Sequence, residues 1–127
     1  MERSMLQTYV IGSDKAVPMY EKAFGAKLIS SYLNDDGTYY HSELDIEGQI
    51  LSVAERNVSS EENQNTVTGN TMQFCLEYGE GGEEKIQKAY EVLKEGAQIH
   101  TPPSPCEYSP LIVDLTDTFG VRWCLFV

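Results

Sequence analysis

His41 and Glu43 stand two residues apart in the segment YHSEL and are the side chains best suited to acid–base chemistry. Residues two apart on a β-strand point to the same face of a sheet. A histidine beside a carboxylate can then act as a general acid–base pair if it reaches a substrate proton. The same side chains can instead contact a ligand or be solvated. The only other histidine, His100, stands beside prolines and is interpreted as structural or exposed.

Cys124 and Arg122 form a second candidate pair in the closing segment VRWCLFV. A thiol becomes a strong nucleophile when a base or a local positive field favours the thiolate, and Arg122 is the only such neighbour in sequence. The alternative is that Cys124 is a small residue lining a cleft. Arg122 can clamp a ligand carboxylate or pair with an internal acid, Glu43 or Glu77. Tyr108 precedes the final hairpin, where the rim of a cleft is expected.

Length and charge narrow the class of protein. The chain has 127 residues, room for one domain, and 41% of them are hydrophobic, an ordinary share for a globular protein. A net charge of −11 repels phosphate backbones and anionic lipids, so neither nucleic acid nor a membrane is an expected partner. The sequence has no apolar stretch near the ~20 residues that cross a bilayer, and its three cysteines lack metal-type spacing. These features favour a cytoplasmic protein with reduced thiols and no disulfide.

Periodicity and turn residues predict a strand, a helix and three further strands in each half of the chain. In the first half the strands cover MLQTYVI, KLISSYL, YYHSELDI and QILSVAE. Ser13 and Asp14 are of capping type, but Pro18 is tolerated only in a first turn, so the first helix is predicted to begin near Lys15 and to end at Gly25. Its apolar face is predicted to contain Ala16, Val17, Tyr20, Ala23 and Phe24. In the second half TMQFCLEY precedes a helix over residues 83–95, and LIVDLTD and VRWCLFV form a closing hairpin. Prolines in residues 101–109 predict an irregular segment or a sheet edge.

Three local matches indicate that the halves are copies of one βαβββ unit. GAKL and GAQI follow the two helices at an offset of 71, and the turns DIEG and DTFG lie at an offset of 72. Aligning MLQTYV with TMQFCL at an offset of 66 sets Gln7 against Gln73. The predicted fold is therefore α+β, a single domain over residues 1–127 with repeats over 1–56 and 71–127 and a polar connector over 57–70.

Two such units side by side make a curved mixed sheet with helices on the convex face and a small-molecule cleft on the concave face. Strand alternation points Leu6, Thr8, Val10, Met72, Phe74 and Leu76 toward the helices. Val121, Trp123 and Leu125 also belong to the core. The repeat and the alternation assign to the cleft Gln7, Tyr9, Ser52, Gln73, Cys75, Arg122, Cys124 and Phe126, with Tyr108 at its rim.

The stretches MYEKAFGAK, YHSEL and DTFGVRW resemble phrases of the vicinal oxygen chelate superfamily, of the type FYxxAFGA, HAEL and DPFGxxW. That superfamily contains glyoxalases, bleomycin-resistance proteins and extradiol dioxygenases. Within it the chain looks most like the small bacterial PhnB-like branch, related to domains labelled 3-demethylubiquinone methyltransferase. The resemblance covers nearly the whole chain, although Thr118 stands where the family usually has proline and no GDR-type stretch precedes it. It implies the glyoxalase-like fold and turns His41 and Glu43 toward the cleft.

Metal-dependent members of that superfamily hold a divalent ion with His and Glu side chains from four strands. Carried over, those positions fall on Gln7, Ser52, Gln73 and Cys124, a set of neutral donors that binds such an ion poorly. The resemblance therefore implies a protein without metal or cofactor that binds a small organic molecule, as a homodimer. Sequestration of an antibiotic or metabolite is the expected role, and no catalytic residue is assigned.

Two other functions stay open. The chain can be a metal-dependent lyase, isomerase or dioxygenase in which His41 and Glu43 bind the ion together with an acid such as Glu77 or Asp114. It can also be a subunit whose cleft is occluded and whose role lies in assembly.

Overall fold

The computed structural model describes residues 1–61 and 64–127, which fall into two compact units, Met1–Val67 and Thr68–Val127. Each unit contains one helix and one four-stranded mixed sheet. The predicted α+β fold with a repeated βαβββ unit is confirmed. Of the predicted connector, Glu62 and Asn63 lie outside the described residues. Neither helix in the described part of the chain is long and apolar enough to span a membrane.

The first unit follows the predicted order of elements. Its sheet has the strand order β1-β4-β3-β2, in which β1 and β4 are parallel and the other neighbours are antiparallel. Helix α1 packs against β2, β3 and β4. The elements are β1 (Leu6–Val10), α1 (Ser13–Phe24), β2 (Lys27–Leu33), β3 (Tyr39–Ile46) and β4 (Gln49–Glu55).

The second unit repeats this topology with the strand order β5-β8-β7-β6, and α2 packs against β7 and β8. The proline-rich strand β6 is at the sheet edge, as predicted, and its register with β7 shifts because proline has no N–H to donate. The elements are β5 (Phe74–Glu77), α2 (Glu83–Leu93), β6 (Gln98–Cys106), β7 (Ser109–Thr116) and β8 (Arg122–Phe126).

The apolar faces of the two helices form the core of each unit. The face of α1 is buried, and so are Ile86, Ala89 and Leu93 of α2. The single tryptophan, Trp123, is fully buried and stacks on Phe74 with ring centroids 5.1 Å apart. The buried residues of α1 include Ala16, Val17, Tyr20, Ala23 and Phe24.

Two residues predicted to pack under the helices do not do so. The side chains of Leu6 and Met72 are 56% and 70% exposed. Strand β5 begins at Phe74, so Met72 precedes the alternating segment, and Leu6 is the first residue of β1. Alternation fixes the direction of a side chain only inside a paired strand.

Helix α1 begins at Ser13, earlier than the predicted start near Lys15, and Pro18 lies in its second turn. The N-cap residue is Gly12, which has no side chain and so cannot accept a hydrogen bond from the first backbone amides of the helix. Glu55, at the end of β4, supplies the acceptor, because its carboxylate lies 3.0 Å from the Gly12 nitrogen and 2.8 Å from the Ser13 nitrogen. A carboxylate in this place also complements the helix dipole.

The strand register corrects one of the three repeat matches. Gln7 is the direct partner of Ser52, whereas the direct partner of Cys124 is Cys75. Cys75, rather than Gln73, therefore corresponds to Gln7, and the offset of 66 is wrong for these strands. The D-x-x-G match reflects a shared turn conformation. Its final glycines, Gly48 and Gly120, have φ of 90° and 86°, a left-handed conformation that favours glycine.

Candidate functional site

A buried carboxylate organises the polar face of the first sheet. Glu43 in β3 is 5% exposed and accepts two hydrogen bonds from the Arg3 guanidinium, at 2.9 and 2.6 Å. The hydrogen bonds from Arg3, and then the one from His41, hold the pKa of Glu43 below its usual range. Glu43 is therefore an ionised group that is already paired, which makes it a poor proton acceptor for a substrate.

His41 links Glu43 to the neighbouring strands. Its Nε2 lies 3.1 Å from a Glu43 oxygen, and its Nδ1 lies 2.8 Å from the side-chain oxygen of Gln7. The Ser52 hydroxyl donates to that same Gln7 oxygen at 2.8 Å, and the Gln7 amide donates to the Tyr9 hydroxyl at 2.9 Å. One continuous hydrogen-bonded chain thus crosses β3, β4 and β1, and we call it the polar chain of the first unit.

An open pocket of about 440 Å³ adjoins the polar chain where β1 and β4 end and β3 begins. Two phenols, an imidazole, three amides, a hydroxyl and one carboxylate provide its walls, so every side chain of the wall carries a hydrogen-bonding group. All of these residues belong to the first unit. They are Gln7, Tyr9, Asn34, Tyr40, His41, Glu55, Asn57 and Ser60.

In the second unit Arg122 is held by Asp114. The guanidinium Nε and Nη2 lie 3.1 and 3.0 Å from the two carboxylate oxygens, and the Gln73 amide donates to the same carboxylate at 3.2 Å. The predicted internal ion pair exists, but its acid is Asp114, not Glu43 or Glu77. Asp114 lies on β7 directly opposite Cys124, so it reaches Arg122 along the diagonal of the sheet.

Four further predicted residues gather on β5, β8 and the β6–β7 turn. Cys75 and Cys124 are direct partners on neighbouring strands, and the Tyr108 ring packs edge-on against Phe126 with centroids 5.5 Å apart. Burial, followed by the neighbouring Cys75 thiol, raises the pKa of Cys124 to about 11. Cys124 is therefore a protonated thiol at neutral pH, and the structure does not support an activated nucleophile.

The predicted cleft residues fall into two groups, one in each unit. The polar chain brings together Gln7, Tyr9, His41, Glu43 and Ser52. The second unit holds Gln73, Cys75, Tyr108, Arg122, Cys124 and Phe126. His100, interpreted as structural or exposed, is exposed, and its Nε2 lies 2.8 Å from the Thr116 hydroxyl oxygen.

Sequence reasoning missed Arg3 and much of the pocket wall. Arg3 meets Glu43 across 40 positions of the chain, and no local pattern connects the two. Asn34, Asn57 and Ser60 come from turns and the segment after β4, where side-chain direction does not follow strand alternation. Tyr40 was not assigned to the cleft, although it adjoins His41 in the segment YHSEL.

The donors at the family's metal positions do not fit a catalytic divalent ion. Gln7, Ser52 and Gln73 offer a neutral amide or hydroxyl, and each already takes part in a hydrogen bond. Cys124 is protonated at neutral pH, and Cys75, which takes the place of Gln73 in the corrected register, adds only a second thiol. Catalytic metals in proteins ordinarily require imidazole or carboxylate donors.

The alternative ligand set does not fit better. The carboxylate of Glu43 is already hydrogen-bonded to Arg3 and His41, and that of Asp114 to Arg122, so neither is available to a metal ion. Glu77 is exposed at the end of β5. Among residues 1–61 and 64–127, no group of three or more His, Cys, Asp or Glu side chains is arranged to hold a metal ion.

A single protein-family model matches nearly the whole chain. The family model described as Glyoxalase/Bleomycin resistance protein/Dioxygenase superfamily matches residues 5–125. No curated protein matches the chain.

Several solved structures share the fold at low sequence identity. A putative 3-demethylubiquinone-9 3-methyltransferase, the PhnB protein from Bacillus cereus, is 21% identical with a TM-score of 0.79 and 98% of each chain covered. TioX from Micromonospora sp. ML1 is 19% identical with a TM-score of 0.66, covering 98% of this chain and 97% of TioX. A variant of the fosfomycin resistance protein FosX from Listeria monocytogenes, in complex with Mn(II) and 1S,2S-dihydroxypropylphosphonic acid, is 13% identical with a TM-score of 0.68. The match covers 98% of this chain and 90% of FosX. At these identities the likeness concerns the fold alone.

Proposed function

Because this chain belongs to the glyoxalase/bleomycin resistance protein/dioxygenase superfamily, we propose that it binds a small organic molecule without a metal ion and without converting it. The observation that carries the proposal is the pocket of about 440 Å³ beside the polar chain. Pockets of roughly 300–1,000 Å³ accommodate drug-sized ligands. The polar chain holds His41 and Gln7 in fixed positions at the wall, which lowers the entropy cost of binding.

The pocket wall favours a planar ligand rich in hydrogen-bonding groups. The rings of Tyr9 and Tyr40 are 50% and 72% exposed, so they can stack against an aromatic or cationic group. The chain's net charge of −11 attracts cations over anions. A cationic antibiotic or metabolite fits both features, and its sequestration is the role we propose.

Binding is favoured over catalysis because the acid–base groups are already engaged. His41 has a protein partner at each ring nitrogen, and Arg3 neutralises the charge of Glu43. A general base needs a free lone pair within reach of the substrate proton. In this arrangement His41 presents its ring, rather than a free nitrogen, to the pocket.

Calorimetric titration with a cationic glycopeptide antibiotic tests the proposal, together with native mass spectrometry of protein purified without added ligand. We expect measurable heat, and we expect His41→Ala to weaken binding about tenfold through loss of one wall contact. His100→Ala is the matched control, since that histidine lies outside the pocket, and it should bind as the wild type does. The absence of both heat and a co-purified molecule would rule out sequestration. Equal binding by His41→Ala would place the ligand elsewhere.

Elemental analysis separates binding from the metal-dependent alternative. Cells grown with added Zn, Ni, Fe and Mn should yield protein with far less than one metal ion per chain. A stoichiometric ion would overturn the metal-free proposal and support a lyase, isomerase or dioxygenase.

The proposal includes a cytoplasmic homodimer built from single domains over residues 1–127. Three free thiols suit a reducing compartment. Strand β2 is a sheet edge and exposes Ile29, Tyr32 and Leu33, an edge that a second copy would protect. We expect light scattering to give a molar mass of twice the chain mass, and we expect one cooperative unfolding transition. A monomer, or two separate transitions, would contradict this part of the proposal.

A further inference from the structure

The second unit brings all three cysteines of the chain around the phenol of Tyr108. Burial raises the pKa of that phenol, and the neighbouring thiols of Cys124, Cys106 and Cys75, with a hydrogen bond to Cys124, raise it further. All three thiols are free. All three cysteines therefore belong to the second unit, and the metal-free binding function makes no use of them.

Cys75 and Cys124 are the pair with the closest geometry. They are direct partners on the parallel strands β5 and β8. After burial, the neighbouring Cys75 is the next cause that raises the pKa of Cys124. Neighbouring strands lie about 4.8 Å apart, and direct partners point to the same face. Disulfides span Cα–Cα distances of roughly 4.4–6.8 Å, so the sheet holds this pair within bonding range.

The two thiols also differ in accessibility in the manner of an attacking and a resolving cysteine. Cys75 is exposed on the edge strand β5, whereas Cys124 is 5% exposed on the central strand β8. An oxidant from solvent reaches Cys75 first, and Cys124 is the thiol next to it. Cys106 is half-buried at the end of β6, opposite Ser109, on the far side of the strand order from β5.

We propose that Cys75 and Cys124 form a reversible disulfide when a peroxide oxidises the protein. The Cys75 thiolate attacks the hydroxyl oxygen of the peroxide ROOH, the O–O bond breaks, and Cys75 becomes a sulfenic acid. The alkoxide RO⁻ leaves and takes up from solvent the proton that Cys75 lost on ionisation, which gives ROH. Cys124 then gives up its proton, its sulfur attacks the Cys75 sulfur, the S–O bond breaks, and the departing hydroxide takes up that proton and leaves as water. Because burial keeps Cys124 protonated at neutral pH, this second step is the slower one and should speed up as the pH rises. Two thiols lose two electrons in total, and the peroxide is reduced to ROH and water.

Closing this bond changes the surroundings of Tyr108. The phenol loses the thiol of Cys124 as a hydrogen-bonding partner, while its ring stays against Phe126. The bond also ties the edge strand β5 covalently to β8. Because Cys75 is exposed, dithiothreitol can reach the bond and should reduce it.

Peptide mapping of the folded wild-type chain tests the proposal. The protein is treated with hydrogen peroxide, remaining thiols are alkylated, and the digest is analysed by mass spectrometry. We expect a Cys75–Cys124 cross-link with Cys106 alkylated, and we expect dithiothreitol to restore all three alkylated peptides. A cross-link that involves Cys106, a chain-to-chain disulfide, or sulfinic acid at Cys75 without a cross-link would each overturn the proposal.

Three variants assign the roles of the thiols, after circular dichroism has shown that each is folded. Cys124→Ala should leave a sulfenic acid at Cys75 that dimedone traps, and Cys75→Ser should form no intramolecular cross-link. Cys106→Ser is the matched control and should form the cross-link as the wild type does. If Cys124→Ala gave no more dimedone adduct than the wild type, Cys124 would not be the resolving thiol. The wild-type map decides the proposal even if Cys124→Ala does not fold.

Discussion

The carboxylate of Glu55 accepts hydrogen bonds from both the backbone and the side chain of Ser13. It lies 2.8 Å from the Ser13 nitrogen and 2.7 Å from the Ser13 hydroxyl oxygen. The end of β4 is thereby fastened to the start of α1. We expect Glu55→Ala to lower the free energy of unfolding by about 1–2 kcal/mol, since a helix cap and a favourable dipole interaction are both lost. Urea denaturation followed by circular dichroism measures the change.

Two further variants refine that measurement. Glu55→Gln keeps an acceptor but removes the charge, so it should cost less than Glu55→Ala. Glu77→Ala removes an exposed carboxylate from a strand end and should change stability by less than about 0.5 kcal/mol. Equal stability of the wild type and Glu55→Ala would contradict the capping role.

This cap illustrates what the sequence can and cannot predict. The apolar face of α1 and the order of elements follow from spacing within a few residues, and both predictions are confirmed. The start of the helix depends on Glu55, 42 positions after Ser13, and the local choice of Ser13 and Asp14 as caps could not reveal it. Short-range patterns fix elements, while the pairing of strands decides which distant side chains meet.

The candidate site shows the same division. Alternation and the repeat selected Gln7 and Ser52, which are direct strand partners, and the YHSEL segment supplied His41. Arg3 could not be selected, because it precedes β1 and no periodicity governs its direction. Gln73 was set against Gln7 through residue identity, whereas strand pairing sets Cys75 there.

Replacing Arg3 should alter how stability depends on pH. The pKa of Glu43 is lowered in the folded protein, so its contribution to stability is complete above the usual carboxyl pKa of about 4.3 and is lost as pH falls through the lowered value. Arg3→Ala removes the largest cause of that shift. We expect a lower melting temperature than wild type at pH 7 and a smaller difference at pH 3, measured by thermal denaturation.

A double-mutant cycle with Glu43→Gln isolates the pair. If the two groups interact as the distances indicate, the combined variant should be more stable than the sum of the single effects predicts. Lys22→Ala, which removes an exposed lysine from α1, is the control for a general loss of positive charge. A difference between wild type and Arg3→Ala that did not shrink at low pH would contradict the assignment.

Asp117 should be far more important for stability than its counterpart Asp45. The buried carboxylate of Asp117 accepts hydrogen bonds from the nitrogens of Phe119, Val121 and the Trp123 indole, at 2.8 to 3.0 Å. Asp117→Ala leaves these donors unsatisfied and should cost about 3 kcal/mol. Because Trp123 is the only tryptophan, its fluorescence in a urea titration reports the loss directly.

Asp45→Ala is the matched comparison in the first repeat. Asp45 is half-buried, and its carboxylate accepts a hydrogen bond from the Gly48 nitrogen at 2.6 Å, so we expect a cost of about 1 kcal/mol. Similar costs at both positions would show that the turn, rather than the indole contact, dominates.

Cys124 should react with alkylating reagents only slowly at neutral pH. Its pKa is raised to about 11, mainly by burial, so little thiolate exists at pH 8, and the rate should rise steadily as pH approaches that value. Mass spectrometry of iodoacetamide-treated protein measures the rate separately for each cysteine. Alkylation of Cys124 at pH 8 as fast as that of Cys106 would contradict the effect of burial.

Two neighbours of Cys124 should shift this profile in opposite directions. The Cys75 thiol raises the pKa of Cys124, whereas the hydrogen bond from Tyr108 lowers it. Cys75→Ser should therefore speed the alkylation of Cys124 at a given pH, and Tyr108→Phe should slow it. A general loosening of the second unit would speed the reaction in both variants, so opposite signs distinguish the electrostatic cause from a packing defect.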